Sequence, residues 1–193
     1  MIHNYIAALP EISLAAGLLV MALVRLFRSE NTPKTFYTLG KFFLAFTLLT
    51  TVVFYNRSWL PQIFENNPYT SLFKIIICLF TLAWAYLSCK WFLNKNYSSW
   101  SFYSLILLEV LLLSLAISAL NFAALFVGLQ GAFLLNWFLI RLGDDEEKKK
   151  RDAARRFLCF ALLFAAFFAC GCVLIFMRAG SLEYACLLYT SPS

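Results

Sequence analysis

The stretch 101–142, SFYSLILLEVLLLSLAISALNFAALFVGLQGAFLLNWFLIRL, decides the fold of this chain. It holds about forty residues, which is enough for two bilayer crossings of about twenty residues each. One short polar segment, 118–121, separates its two apolar halves, so the stretch predicts a tight hairpin of two transmembrane helices. Glu109 in the first half and Gln130 in the second are unusual in hydrocarbon. An ionisable group inside a membrane helix is costly and is therefore a candidate functional site.

The composition of the whole chain points to the same environment. Of its 193 residues, 62% are hydrophobic and only 13% are charged, and the mean hydropathy is +0.77. A soluble domain of this size has no means of hiding so much apolar surface. The apolar runs are continuous and show no strand-type alternation, which favours helices over a barrel. The net charge is +6, and the basic residues that cause it lie in loops between the apolar runs, as they do in membrane proteins. We therefore do not expect nucleic acid as a partner.

The apolar runs predict an all-α, polytopic transmembrane helix bundle in one domain, 1–180. Its six spans are predicted at 6–27, 36–55, 72–93, 102–120, 122–142 and 157–177. The segment 181–193 is predicted to be a tail that is truncated or non-native, since its last residues resemble a translated sequencing adapter. The charged segment 141–156 reads as a solvated loop whose last part begins the sixth helix. There Asp152 precedes Arg156 by four residues, the favourable order for an ion pair on a helix.

The distribution of Lys and Arg predicts the orientation. Thirteen of the sixteen basic residues fall in loops on one side if the N-terminus is outside, and only Arg57, Lys74 and Arg178 fall on the other. Because basic residues prefer the cytoplasmic side, both ends of the chain are predicted to lie outside.

Catalytic, metal and cofactor chemistry has no sequence signal in this chain. Its six cysteines form no CxxC pair, and its one histidine is His3. The cysteines are therefore interpreted as small buried hydrophobic residues rather than disulfides or metal ligands. Phosphate-binding loops and nucleophile elbows are also missing from the sequence. We thus predict no catalytic, metal-binding or cofactor-binding residue here.

Several segments in order resemble one family. These are LPEISLA at 9–15, SFY at 101–103, LFVGL at 125–129, Leu134, DAARRF at 152–157 and the exit MRAGS at 177–181. Together they are similar to the antiporter-like membrane subunits of respiratory complex I, most closely the subunit N family of NADH–quinone oxidoreductase. The similarity covers nearly all of this chain and less than half of a complete subunit.

The resemblance also exposes departures at the family's proton-carrying positions. The intramembrane glutamate of the family falls on Gln130, its signature lysine on Arg156, and a helix-breaking proline on Leu135. Arginine holds its proton too tightly to release it. Glu109 is therefore hypothesised to take over the carboxylate role. Counted from the turn at Asn121, it differs from Gln130 in depth by about 4.5 Å, so Gln130 is predicted to be its polar neighbour.

The resemblance implies a proton path for which the candidate residues are Glu109, Gln130, Asp152 and Arg156. The alternative for Glu109 is a protonated carboxyl that is merely hydrogen-bonded. The implied function is proton translocation by a membrane-arm subunit, coupled to NADH:quinone electron transfer in a bacterial inner membrane. Other membrane-arm subunits and the lipid bilayer are the implied partners, and NAD, flavin, iron–sulfur clusters and quinone belong to other subunits. Two alternatives are a subunit of a multisubunit cation/proton antiporter and a non-conducting scaffold that keeps the fold.

Overall fold

The computed structural model describes residues 8–27, 33–55, 67–93, 99–142 and 147–184. Within these ranges the chain is helical, and all six helices are long and apolar enough to cross a membrane. They are α1 (Leu9–Phe27), α2 (Pro33–Val53), α3 (Pro68–Leu93), α4 (Ser99–Ser118), α5 (Phe122–Arg141) and α6 (Glu147–Ala179). The predicted all-α bundle is confirmed, and the first five predicted spans agree with the helices to within about one helical turn.

The sixth apolar span was predicted from residue 157, and the helix that contains it begins at Glu147, in agreement with the prediction that the last part of the charged segment begins the sixth helix. The segment EKKKRDAARR at 147–156 is charged, so a search for apolar runs excludes it. Its Lys, Arg, Glu and Ala residues nevertheless have high helix propensity, which explains why the helix continues through it. With 33 residues and a rise of 1.5 Å per residue, α6 is about 50 Å long. It therefore extends well beyond a hydrocarbon core of about 30 Å.

The predicted hairpin between α4 and α5 is present. Asn121 caps α5 by accepting a hydrogen bond on Oδ1 from the Ala123 N–H at 2.8 Å, which stabilises the start of the helix. Arg141 and the first turns of α6 lie at the other end of the bundle. We call the end with the 119–121 turn the hairpin end and the opposite one the basic end.

Part of the predicted tail packs on the hairpin turn. The Phe122 N–H donates to the Leu182 carbonyl at 3.1 Å, and the Tyr184 N–H donates to the Leu120 carbonyl at 3.1 Å. The rings of Phe122 and Tyr184 also meet edge to face, with centroids 4.6 Å apart. Residues 182–184 thus belong to the folded body. The adapter-like residues that follow lie outside the described ranges.

Helix α4 is at the centre of the fold. It packs against α1, α2, α3 and α5, and its face around Tyr103 and Leu107 is fully buried. Helix α6 packs on α5, through ring pairs such as Phe133 with Phe164 at 5.3 Å. The bundle α1–α4 therefore holds the core, and the hairpin carries α6 at its side.

The cysteines follow this division. Cys78 in α3 is buried, as predicted, whereas Cys159 and Cys170 in α6 are exposed. The prediction of burial was wrong for these two because α6 packs on one neighbour along one face only.

The close packing of the hairpin gives a direct stability prediction. A Cβ at Gly128 would lie 2.6 Å from the Ala116 Cβ and 3.0 Å from the Leu112 carbonyl oxygen. Gly128→Ala is therefore expected to destabilise the protein by about 1–3 kcal/mol, the usual cost of overpacking. The matched control is Gly171→Ala in α6, where an added Cβ meets nothing within 4 Å. Thermal unfolding of the purified protein in detergent measures both. A Gly128→Ala protein at least as stable as the Gly171→Ala protein would contradict the packing.

Candidate functional site

Glu109 lies near the middle of α4 and is held by a side chain of α5. The Asn136 Nδ2 donates to Glu109 Oε1 at 2.6 Å and also to the Ala132 carbonyl at 3.1 Å. Both Glu109 and Asn136 are half-buried. A hydrogen bond to a carboxyl inside a membrane bundle offsets part of the cost of burying it. Glu109 therefore points toward the second helix of the hairpin.

A cavity of about 880 Å³ adjoins this pair. Its walls come from α3, α4, α5 and the start of α6 and are mostly apolar, with the polar groups of Glu109, Asn136, Lys150, Thr81 and Ser88 among them. Because Lys150 is on the first turn of α6, the cavity extends from the middle of α4 to the basic end. It thus places a carboxyl and an ammonium group on one half-open cavity, with exposed side chains such as Phe80 and Trp84 in its wall.

Gln130 is not the partner of Glu109, so this prediction was wrong. Phe126 and Phe133, one turn before and after Gln130, both pack on rings of α6, so Gln130 shares the face toward α6. The close contact of Gly128 with Ala116 and Leu112 sets the register of the hairpin. By that register Gln130 lies about 4.5 Å nearer the hairpin end than Glu109, as counting residues from Asn121 predicts. The two side chains do not meet because they project from different faces, Glu109 toward Asn136 and Gln130 toward α6.

Gln130 has an unusual environment of its own. Its Nε2 is buried and has no hydrogen-bond partner among the residues that the structure describes. Leaving a buried amide donor unpaired costs about 1–3 kcal/mol. The side chain therefore contributes a polar group without a charge, at the α5–α6 interface.

Asp152 and Arg156, the other two candidates, lie apart from the Glu109 cavity. Asp152 pairs with Arg155 at 3.2 Å, not with Arg156 as predicted, and both side chains of this pair are largely exposed, 45% and 75%. Arg156 is exposed beside Arg155, and both border a shallow cavity of about 300 Å³ with Cys159, among others. An exposed ion pair of this kind contributes at most about 1 kcal/mol to stability. The structure brings neither residue to Glu109.

A second charged pair, which sequence reasoning missed, is buried near the hairpin end. Lys74 Nζ in α3 lies 2.6 Å from Glu11 Oε1 in α1, and the side chains are only 3% and 7% exposed. The sequence suggests Lys74 as an interfacial residue at the entry of its helix, and Glu11 as part of the LPE motif. Glu11 and Lys74 each follow a proline, Pro10 and Pro68, that lies near the start of a helix. A proline there indicates where the helix begins but not which face of the helix carries the charge, so it is only a weak signal for a buried pair.

Lys150 was also missed, since it stands in the run KKKR at 148–151. A charge run usually marks a solvated face, and Lys148 and Lys149 are indeed exposed. Lys150, the third lysine of the run, lies on the side of α6 that faces the cavity. Finding it from sequence would have required knowing which face of α6 turns toward the bundle.

The comparisons with known proteins agree with this architecture. No family model matches the chain. A curated relative, NADH-quinone oxidoreductase subunit N of Campylobacter lari, is 23% identical over 97% of this chain. The same subunit of Beijerinckia indica is 23% identical over 92% of it. The predicted resemblance to subunit N is confirmed.

The chain spans 39% and 37% of the length of these two subunit N relatives. The fold is also similar to a chain in the structure of respiratory complex I from Thermus thermophilus with bound aureothin. That similarity has a TM-score of 0.71 at 21% identity and covers 90% of this chain and 38% of the other. The six helices thus correspond to part of a longer membrane subunit fold.

Proposed function

We propose that this protein is a membrane-arm subunit of an NADH–quinone oxidoreductase and contributes to proton translocation coupled to NADH:quinone electron transfer. The observation that supports this most is the placement of Glu109 and Lys150 on one cavity that reaches the basic end. The subunit N similarity supplies the biological context. Proton movement through a membrane requires a group that gains and loses a proton in low dielectric, and Glu109 meets that requirement.

The site residues divide the task between them. The carboxyl of Glu109 holds the proton, and the Asn136 amide donates to its Oε1, which orients the carboxyl toward α5. The ammonium of Lys150 lies on the same cavity at the basic end, which in this proposal is the side from which protons enter.

The redox chemistry belongs to other subunits in this proposal. NAD, flavin, iron–sulfur clusters and quinone would be held there, and this chain would meet its neighbouring membrane-arm subunits within the lipid bilayer. The similarity to subunit N suggests this division, because a subunit N relative aligns with nearly the whole of this chain.

The proposed location is a bacterial inner membrane with the basic end in the cytoplasm and both ends of the chain outside. Lys148 near the basic end and Glu183 at the hairpin end are both exposed. In the Lys148→Cys and Glu183→Cys proteins, we expect a membrane-impermeant maleimide to label residue 148 from the cytoplasmic side only. Residue 183 should be labelled from the outer side only. The parent protein gives the background of the native cysteines, and the reverse labelling pattern would contradict the orientation.

The test of the function is complementation. The complete subunit is expressed in a bacterium that lacks its own subunit N, and inverted membrane vesicles are given NADH. We expect restored assembly of the oxidoreductase and NADH-driven acidification of the vesicle interior, followed with a pH-sensitive dye. Assembly with NADH oxidation but without acidification would contradict a role in proton translocation.

That last outcome would favour a second candidate, a membrane scaffold that keeps the fold without conducting. A specific observation supports this candidate. The two positions that match the family's titrating residues carry Gln130, which has no ionisable group, and Arg156, which is exposed and lies outside the Glu109 cavity. In a scaffold, Glu109 would serve only as a hydrogen-bond acceptor for Asn136.

A further inference from the structure

The buried pair Glu11–Lys74 is costly for a membrane bundle. The two charges approach to 2.6 Å and are almost completely enclosed. Burying two opposite charges removes their hydration, and their mutual attraction offsets this cost only when the geometry is good. Such a pair is therefore weak evidence for stability. Ionisable residues buried in a membrane helix bundle are candidates for an ion pathway.

One atom of the pair is not satisfied by its neighbours. The second carboxylate oxygen of Glu11, Oε2, is buried and accepts no hydrogen bond from any residue in the described ranges. An ionised carboxylate has several acceptor sites and one salt bridge uses only part of them. Oε2 is therefore an acceptor that is free to receive a proton or a hydrogen bond from a water molecule.

A small cavity connects Lys74 with α4. Its volume is about 10 Å³, and Lys74, Thr51, Ser114 and Val110 are among the residues that line it. That is about the space that one water molecule needs. The hydroxyls of Thr51 and Ser114 donate to backbone carbonyls at 2.7 Å and 2.9 Å, so their oxygens keep lone pairs for accepting a hydrogen bond.

This small cavity and the large Glu109 cavity share one wall. Val110 lines both of them, and it directly follows Glu109 in α4. Ser114 lies about one turn further toward the hairpin end. Val110 thus separates the Glu109 cavity from the small cavity that Lys74 lines.

We propose that the Glu11–Lys74 pair is a second proton site, which receives protons from Glu109 and passes them to the hairpin end. The O–H bond of the Glu109 carboxyl breaks, and a proton moves past Val110 through water near Ser114. An O–H bond forms at Glu11 Oε2. Glu109 becomes a carboxylate and is protonated again from the cavity at the basic end, while neutral Glu11 releases its proton at the hairpin end. Lys74 keeps its contact with Glu11 Oε1, which is 2.6 Å long in the structure.

This inference rests on the proposed function, and the experiment separates the two. The double variant Glu11→Gln/Lys74→Met in the complete subunit removes both charges and keeps the side-chain volumes. Replacing both members of a buried pair is often nearly neutral for stability, whereas removing one is not. The control Ser13→Ala removes another buried polar contact between α1 and α2, the 2.7 Å hydrogen bond to Thr47, without changing a charge.

The measurement is proton uptake per NADH oxidised in inverted vesicles, beside the amount of assembled complex. We expect the double variant to assemble normally and to lose at least half of the proton uptake, and Ser13→Ala to retain all of it. Normal uptake in the double variant would show that the pair is structural and overturn the inference alone. Absence of uptake with the wild-type subunit would contradict the proposed function itself.

A second neutral pair guards against a folding defect. If the first double variant does not assemble, Glu11→Gln/Lys74→Gln replaces it, since two amides can hydrogen-bond where the ions met. Assembly with reduced proton uptake supports the inference. Failure of both neutral pairs to assemble would mean that the fold requires the charges, and this too would overturn it.

Discussion

Lys74→Met alone is expected to reduce the amount of folded subunit in the membrane severely. The substitution leaves the Glu11 carboxylate 7% exposed without the ammonium that compensates its charge. Breaking a buried ion pair by removing one partner costs about 3–5 kcal/mol. That is a large part of the stability of a typical protein, about 5–15 kcal/mol. Immunoblotting of membranes and thermal unfolding in detergent measure the effect.

The exposed pair of α6 provides the matched control. Arg155→Gln breaks the ion pair with Asp152, whose N–O distance is 3.2 Å. The two side chains of this pair are largely exposed, in contrast to those of Glu11 and Lys74. Its expected cost is at most about 1 kcal/mol. Equal amounts of the Lys74→Met and Arg155→Gln proteins would show that the charge of Glu11 is neutralised in another way, such as by protonation. This would contradict the expectation that burial makes the loss of Lys74 costly.

The helices of this chain were predictable because a helix that crosses the bilayer needs about twenty consecutive apolar residues, and runs of that length are visible in the sequence. The hairpin at 118–121 was predicted for the same reason, since one short polar segment interrupts about forty residues that are otherwise apolar. The start of α6 at Glu147 agrees with the prediction that the last part of the charged segment begins this helix. Hydropathy alone would place the start at residue 157, because a search for lipid-compatible segments discards charged residues of high helix propensity.

The partners inside the bundle were harder to predict. Glu109 was found because a carboxyl in an apolar run is visible in the sequence. Its neighbour Asn136 was not, since hydropathy does not tell which face of α5 turns toward α4 and which toward α6. The same uncertainty led to the wrong pairing of Glu109 with Gln130, although their depths were predicted correctly. Hydropathy likewise does not distinguish a lysine that reaches the interface from one, like Lys74, that turns inward.

The substitution Glu109→Gln in the complete subunit tests the proposed proton carrier. A glutamine keeps the size of the side chain and a carbonyl oxygen that accepts from the Asn136 amide, now 2.6 Å from Oε1. The cost to stability is therefore expected to be within about 1 kcal/mol. The titrating proton is lost, however, and an amide has no other at working pH. We expect most of the proton uptake by this subunit to disappear while assembly and part of the quinone reduction persist.

Ser104→Ala is the matched control in the same helix. The Ser104 hydroxyl donates to the Ser101 carbonyl at 3.1 Å, so the substitution removes a half-buried polar group of α4 that has no titrating proton. Proton uptake per NADH should stay at the wild-type level. If Glu109→Gln also leaves it unchanged, Glu109 is a hydrogen-bond acceptor only, and the scaffold becomes the better explanation of the chain.

The sequence alone suggests that Gln130→Glu, which restores the family's residue, would rescue Glu109→Gln. The structure reverses this expectation. Residue 130 lies on the α5 face that Phe126 and Phe133 pack against α6, about 4.5 Å nearer the hairpin end than Glu109. A carboxyl there does not reach the cavity that Asn136 and Lys150 line. We therefore expect no recovery of proton uptake in the double variant. Recovery would mean that protons also reach the α5–α6 interface, and that the path runs along α6 rather than through the cavity at Glu109.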